Sequence, residues 1–391
     1  MSSVSLIGID IVAAPSHLSA LTAGYLMRWS PRHPARRTLS QGAFTSETVI
    51  MSSVSLIGID IGKHTFHLHA QDKFGKEVMR KKCSRQQMMR FLANHPPCTV
   101  VMEACAGSHC LAREIKAMDH EAKLISPQFV KPFVKSNKND FVDAQAICEA
   151  ASRPSMRFVT PKSPEQQTLS VSHRMRESLI RDRTKTVNQM HGFLLEFGVS
   201  LPTGLAVVKR LASVLEEHDL PIRLVALLQR LHDHFVYLSE QIKVLDKELE
   251  SQLADDDLGS RLLSMPCVGP ITASLLAVEM GDARQYGSSR DFAASVGLVP
   301  RQYSTGGRPA LLGISKRGDK NLRHLLVLCA RVYMLRLKYQ KGPLADWVRS
   351  LLARRHSNVV ACALANKLAR IAWAIATRHT QYKTEPDAIN A

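Results

Sequence analysis

The hydrophobic patterning predicts an α/β domain followed by a mainly α-helical remainder that contains a coiled coil. Three observations carry this expectation. Between residues 51 and 160, apolar runs of strand length alternate with helical segments. From residue 224 to 249, apolar positions recur in steps of four and three. Residues 321–339 and 358–379 then read as long helices with apolar faces and basic flanks.

The amino end holds an internal repeat. The eleven residues MSSVSLIGIDI stand at 1–11 and again, unchanged, at 51–61. After the first copy the chain has three prolines within 26 residues and no period-2 pattern, whereas the second runs on into GKHTFHLHAQD as a strand does. Residues 1–50 are therefore expected to be a poorly ordered extension with a duplicated start, Met51 being the older initiator and Asp10 an echo of Asp60.

Residues 51–160 form the first expected domain. Three strands, over 55–61, 64–70 and 78–82, read as a meander. A helix over 84–95 follows with Ser84 as its N-cap, and then a buried strand, TVVMEA, with Glu103 near its end. A further helix and a strand over 122–126 lead to KSNKNDFVDAQAICEAA, in which Asp140 and Asp143, three apart, share one face of a helix start. His64, His67 and His69 suggest zinc, but period 2 places His67 and His69 together opposite Phe66 and Leu68, so a solvated strand face is expected instead.

Residues 161–255 read as helical linker and coiled coil. A polar, basic helical stretch ends at Pro202 and Gly204, and Leu224, Leu228, Leu231, Phe235, Leu238, Ile242, Leu245 and Leu249 then form a narrow seam. The narrow stripe favours an intermolecular seam over a hairpin packed on itself. In the last expected domain, 256–391, Pro266, Gly269 and Pro270 separate two helical runs, resembling a helix-hairpin-helix whose backbone N–H groups at Gly269 hold a phosphate. A loop rich in Gly, Ser and Thr follows: Ser304 and Thr305 stand beside Gly306 and Gly307, where a phosphate can approach closely. Arg301, Arg308, Lys316 and Arg317 flank it, and a helix beginning near Lys320 adds Arg323.

Charge narrows the function. The chain has 391 residues and a formal net charge of +18, which disfavours a neutral metabolic enzyme. The last 91 residues carry 17 basic against 4 acidic side chains, whereas residues 161–300 sum to −3. Such a localised positive field suits a polyanion. No run of 18 apolar residues suggests a membrane span, and the amino end lacks a secretory pattern, so a cytoplasmic, nucleoid-associated protein is expected, without a membrane partner. Eight cysteines form no C-x-x-C pair and are expected to be reduced and mostly buried.

Asp60, Glu103, Asp140 and Asp143 place carboxylates at two strand ends and one helix turn. Hard oxygen ligands of this kind suit Mg²⁺, and two such ions can clamp the attacking and leaving oxygens of a phosphodiester. The series IGIDIGK, VMEA and KNDxxDAxAICEA resembles the DEDD transposases and recombinases of the insertion-sequence 110 family, especially its insertion-sequence 1111 subgroup, relatives of the Piv invertase. The resemblance runs from about Met51 to the end. It implies a RuvC-like, RNase H type domain in which Asp60, Glu103, Asp140 and Asp143 hold magnesium. It also implies that PRQYSTGG carries a hydroxyl that attacks DNA and becomes joined to it; the family's serine position is Thr305 here, with Ser304 just before it, and the choice between them stays open. A homo-oligomer, dimer or tetramer, a composite site and a structured noncoding bridge RNA pairing with donor and target DNA are further implications of the family.

The expected function is thus Mg²⁺-dependent DNA strand cleavage and joining through a Ser/Thr phospho-protein intermediate. The alternative is a RuvC-like nuclease or junction resolvase that uses the carboxylates with water. An actin-like sugar kinase is weaker, because no second D-x-G phosphate turn follows, and a non-catalytic DNA-binding derivative sits poorly with four intact carboxylates.

Overall fold

A computed structural model describes residues 53–383 apart from 136, 138 and 282. The expected extension over residues 1–50 lies outside the described residues.

The first strands follow the pattern closely: β1 (Leu56–Ile61), β2 (Phe66–Gln71) and β3 (Glu77–Cys83) form the antiparallel meander. Helix α1 (Arg85–Ala93) starts on a capping box: Ser84 Oγ accepts from the Gln87 N–H, and the Gln87 side chain accepts from the Ser84 N–H. Next come β4 (Thr99–Glu103), α2 (Ser108–Lys116), β5 (Glu121–Ile125), α3 (Asp140–Ala151) and the two-residue β6 (Phe158–Val159). The sheet order is β3-β2-β1-β4-β5-β6, with β1, β4 and β5 mutually parallel.

Side-chain alternation divides the sheet into two faces. Ile57, Ile59, Val100 and Met102 point to one face and join the core under α1 and α2. Val101 lies on the other face, packed with Ala146, Ile147 and Ala150 of α3. Gly58, Asp60 and Glu103 share this second face by the same alternation. An added Cβ at Gly58 would stand 2.5 Å from the Ala144 carbonyl oxygen and 2.6 Å from Cys148 Sγ, so glycine is what lets α3 cross β1 so closely.

The middle of the chain is an antiparallel helix pair. Helix α4 (Pro164–Leu195) opens on a capping box made by Ser163 and Gln166, and α6 (Ile222–Ala254) returns along it after the short α5 (Leu211–Glu217). Val187, Met190 and Leu194 of α4 pack with Leu228 of α6, while Arg176 pairs with Asp246 nearer the other end. Leu228, Leu238, Ile242 and Leu249 are buried. The seam expected between protomers is therefore used within the chain: the partner stripe on α4 lies upstream by 34 residues at Leu194–Leu228 and by 70 at Arg176–Asp246, and is too polar to stand out by periodicity.

The carboxyl-terminal unit has its own core. Helices α7 (Asp257–Leu262), α8 (Pro270–Met280), α9 (Ser289–Ser295), α10 (Lys320–Leu335), α11 (Pro343–Leu352) and α12 (Ser357–Arg378) surround it, with a small antiparallel pair, β7 (Pro300–Gln302) and β8 (Leu311–Ile314). The expected loop around Ser304 is thus a β-hairpin, missed because its strands are three and four residues long. Helix α12 is long and apolar enough to cross a membrane by length and composition, although Asn366, Lys367 and Arg370 break its apolar run. It carries Lys367 and Arg370, and Leu364, Leu368, Ala369 and Ala372 are fully buried in the core, so it is the central helix of this unit. All eight cysteines are free; Cys83, Cys98, Cys148 and Cys329 are buried, half rather than most of them.

Candidate active site

Strand alternation and the α3 crossing bring the acidic residues together. Asp60 lies at the end of β1 on the face covered by α3, and Glu103 ends the neighbouring parallel strand. Asn139, not Asp140, caps α3, its side chain accepting from the Phe141 N–H. Asp140 and Asp143 are thereby left in the first helical turn, where the helix dipole favours negative charge.

The electrostatics agree with this placement. Burial, then the charges of Asp60 and Asp143, push the Glu103 carboxyl above its usual range. Burial and the charges of Glu103 and Asp60 also raise the Cys105 thiol. One ligand atom from each of Asp60, His67 and Asp140 lies within 4.8 Å of the others, a grouping suited to a metal ion. The donor set fits a divalent cation: carboxylates already brought close on a half-buried face lose mutual repulsion when a cation lies among them.

His67 corrects the sequence reading. Its residue and His69 are 6% and 1% exposed, so the face expected to be solvated is buried. Period 2 correctly placed both histidines on one side, but only α3, packed from 70 residues downstream, covers that side. Cys148 Sγ of α3 donates to the His69 carbonyl at 3.3 Å, marking the depth of this contact. His64, by contrast, is exposed in the turn before β2.

The second group of candidate residues lies on the β7–β8 hairpin. Gly306 and Gly307 have φ of +55° and +76°, and Thr305 pairs with Arg308 across them. Two consecutive positive φ values make a tight turn of the kind that matches strand twist. Ser304 and Thr305 are exposed beside this turn, and the Gln302 Nε2–H donates to Ser304 Oγ at 2.9 Å. Arg301 is on β7, Arg308 in the turn, and Lys316 and Arg317 follow β8.

The remaining basic candidates have different surroundings. Lys320 is exposed at the first position of α10. Arg323 departs from the expected phosphate role: its Nη1–H groups donate to the carbonyls of Val296, Arg317 and Asp319 at 2.9, 3.1 and 3.4 Å. It is half-buried and clamps the loop before α10 to the end of α9. Gly269 is exposed at the N-cap of α8, so the backbone there is accessible.

Two clefts border the hairpin. A groove of about 1140 Å³ brings Arg301 and Lys316 together with Lys367 and Arg370 of α12. Sequence reading singled out neither α12 side chain; each is one basic residue in an apolar helix, a signal visible only as an i, i+3 pair. Lys367 Nζ also stands 4.4 Å from the centre of the Trp347 ring. A second cleft, about 630 Å³, lies between Phe129, Arg157 and Phe158 of the sheet domain and Arg301, Gln302 and Tyr303 of the hairpin.

Known proteins share both parts of this layout. Residues 57–198 match a DEDD transposase family model, which implies an RNase H-like fold, and the mixed sheet is consistent with it. Residues 259–343 match a second model, described as "Transposase IS116/IS110/IS902 family". The chain is 63% identical over 321 residues to a transposase for insertion sequence element IS1328 of Yersinia enterocolitica, covering 82% of this chain and 96% of that one. It is 44% identical to a probable family 20 transposase of Pseudomonas aeruginosa, with 82% and 96% covered. A transposase for insertion sequence element IS1111A of Coxiella burnetii is 39% identical, with 82% and 89% covered. This chain belongs to the IS110/IS116/IS902 family of insertion-sequence transposases, enzymes that act on DNA.

Proposed function

We propose that the protein cuts and joins DNA strands at its insertion sequence by Mg²⁺-dependent phosphoryl transfer, with Ser304 or Thr305 as the attacking group. The gathering of Asp60, His67 and Asp140, with Glu103 raised by burial and then by the charges of Asp60 and Asp143, is the observation that carries this reading. Asp60, Glu103, Asp140 and Asp143 would hold the cation, which when bound supplies charge neutralisation at the phosphate oxygens.

The chain's own groups account for the remaining steps. A hydroxyl oxygen of Ser304 or Thr305 attacks phosphorus, its proton leaves to solvent or a neighbouring base, and one bridging P–O bond breaks as the strand end departs with a proton. The strand is then held as a phosphoester until the hydroxyl of a second DNA end attacks and returns the side-chain hydroxyl. Arg301 and Arg308 stand where they can offset charge developing on the phosphoryl oxygens. Lys316, Arg317, Lys320 and the backbone at Gly269, Gly306 and Gly307 contact phosphates, while Tyr303, 77% exposed beside Ser304, offers a ring on which a base can stack.

A structured noncoding RNA is the second polyanion in this reading, as the family resemblance implies, and the +13 charge of the last 91 residues suits either nucleic acid. A homo-oligomer would assemble on the outer side of the helix pair, where Phe193, Phe197, Leu227 and Tyr237 are exposed. Cytoplasmic, nucleoid-associated action follows from these partners.

The test is junction PCR in cells carrying the element with its flanking DNA and noncoding region. Junctions are expected with the wild type and absent with Asp60→Ala and with Ser304→Ala/Thr305→Ala. Junctions surviving the double substitution would replace the covalent hydroxyl by water, the chemistry of a RuvC-like nuclease or resolvase. Starting the chain at Met51 tests whether residues 1–50 affect the reaction.

A further inference from the structure

The structure points to an imidazole nitrogen in the metal site: we propose that His67 Nδ1 is a direct ligand of the cation held by Asp60 and Asp140. This rests on the reading that the carboxylates bind a divalent ion.

Three independent features converge on His67. First, β1 and β2 pair in a register that sets His67 directly opposite Asp60, so their side chains leave the sheet on the same face. Second, the ring is more than nine-tenths buried, yet its Nδ1 has no hydrogen-bond partner. A buried imidazole nitrogen without a partner is destabilising unless something else satisfies it. Third, Nδ1 faces the site: Asp140 Oδ2 is 3.6 Å away, too long for a good hydrogen bond and suitable for two ligands flanking one ion.

Phe141 fixes the ring. Its side chain meets the imidazole edge-on, with centroids 4.8 Å apart and planes at 77°. The imidazole is thus held from α3 by the residue next to Asp140, so that ligand and ring orientation come from one helical turn. His69 shares the face and the burial, and its Nδ1 likewise has no hydrogen-bond partner, with Glu77 Oε2 3.7 Å away. The contrast lies in place: Glu77 stands at the sheet edge, and His69 Nε2 is 3.1 Å from Gln71 Nε2. No member of the acidic cluster stands beside it in the metal grouping.

The chemical consequence is a mixed nitrogen and oxygen site. Carboxylates alone suit magnesium, whereas an imidazole shifts preference toward first-row transition ions. The full chain is therefore expected to bind Mn²⁺ more tightly than Mg²⁺ by a larger margin than an all-oxygen site allows, and His67→Gln to weaken Mn²⁺ binding about tenfold or more while changing Mg²⁺ binding less.

Pulsed electron paramagnetic resonance of the Mn²⁺-loaded full chain reads this directly, without reference to activity. Electron spin echo modulation from a coordinated ¹⁴N is expected, replaced by the ¹⁵N pattern when only histidine is isotopically labelled, and lost in His67→Gln with Mn²⁺ still bound. The labelling arm needs no substitution and so stands even if the variant misfolds. Bound Mn²⁺ without histidine modulation overturns the His67 assignment and leaves the carboxylate reading intact. Modulation that persists in a folded His67→Gln protein overturns it as well, by assigning the nitrogen to another histidine. Absence of specific Mn²⁺ binding, even in competition with Mg²⁺, overturns the carboxylate reading itself.

Discussion

The carboxylate centre and the hydroxyl hairpin sit on opposite extremes of structural support. Asp60, Glu103 and His67 are half-buried or buried on a sheet face pressed by α3, whereas Ser304 and Thr305 project from an exposed turn. Carboxylates that must lie close together repel and resist burial, so a rigid scaffold has to impose their approach. A hydroxyl proposed to attack a polymer gains from the reverse, since a duplex phosphate can reach only an uncovered group. Between the two, Arg157 pairs with Asp291 at 2.9 Å and Lys162 with Glu279 at 2.6 Å, joining the sheet domain to the helical unit.

Breaking either centre chemically has the largest expected effect. Asp60→Ala or the Ser304→Ala/Thr305→Ala double substitution should lower strand transfer by at least ~10²–10³-fold, the scale for losing an essential charge-stabilising or attacking group. Circular dichroism should be unchanged in the hairpin variant, because Ser304 and Thr305 are exposed. Unfolding of that variant would show that the hairpin supports the fold after all.

The next effect separates the centres by rigidity. Gly58→Ala should cost ~1–3 kcal/mol, since its Cβ would meet α3 backbone. It should lower Tm and weaken divalent-ion binding together. Gly306→Ala, at a positive φ that Gly58 does not have but with open space around it, strains only the hairpin turn and should lower Tm less than Gly58→Ala. Equal Tm losses in a thermal melt would erase the distinction between the centres.

Acid should act on the junction between the units. Burial lowers His173, on α4 against Ser274 of α8, and His109, beside Lys162, to about 4 from the ordinary value of 6.5. Both are neutral in the fold and protonate readily when unfolded, so their stability contribution is present above pH ~6.5 and is lost as pH falls toward ~4. A Tm-against-pH profile should drop across that window and be flatter in His173→Gln. The smallest effect belongs to single basic residues: Arg308→Ala should reduce the salt slope of DNA binding by about one without changing Tm, read by fluorescence anisotropy at several salt concentrations.

Strand alternation, the Ser84 N-cap and the spacing of Asp140 and Asp143 were legible because each depends on neighbours a few residues away. Two of the assignments that changed depend on distant partners. The leucine stripe on α6 announced a packing face but not what covers it, and α4 covers it. The His67 and His69 side of β2 looked polar, yet a polar strand face becomes interior once a helix crosses it.

The amino-acid sequence by itself determined the longer elements and their order, the position of the four carboxylates at strand ends and a helix start, and the concentration of positive charge near the carboxyl end. Only the tertiary structure decided that His67 enters the acidic site, that Arg323 is spent on backbone carbonyls, and that Lys367 and Arg370 line the groove behind the hairpin. The physical reason is range. Propensity, capping and periodicity act within a few residues along the chain, but burial and electrostatic neighbourhood are set by whichever distant segment packs on a face, and here by the missing Cβ of Gly58 that lets α3 come down.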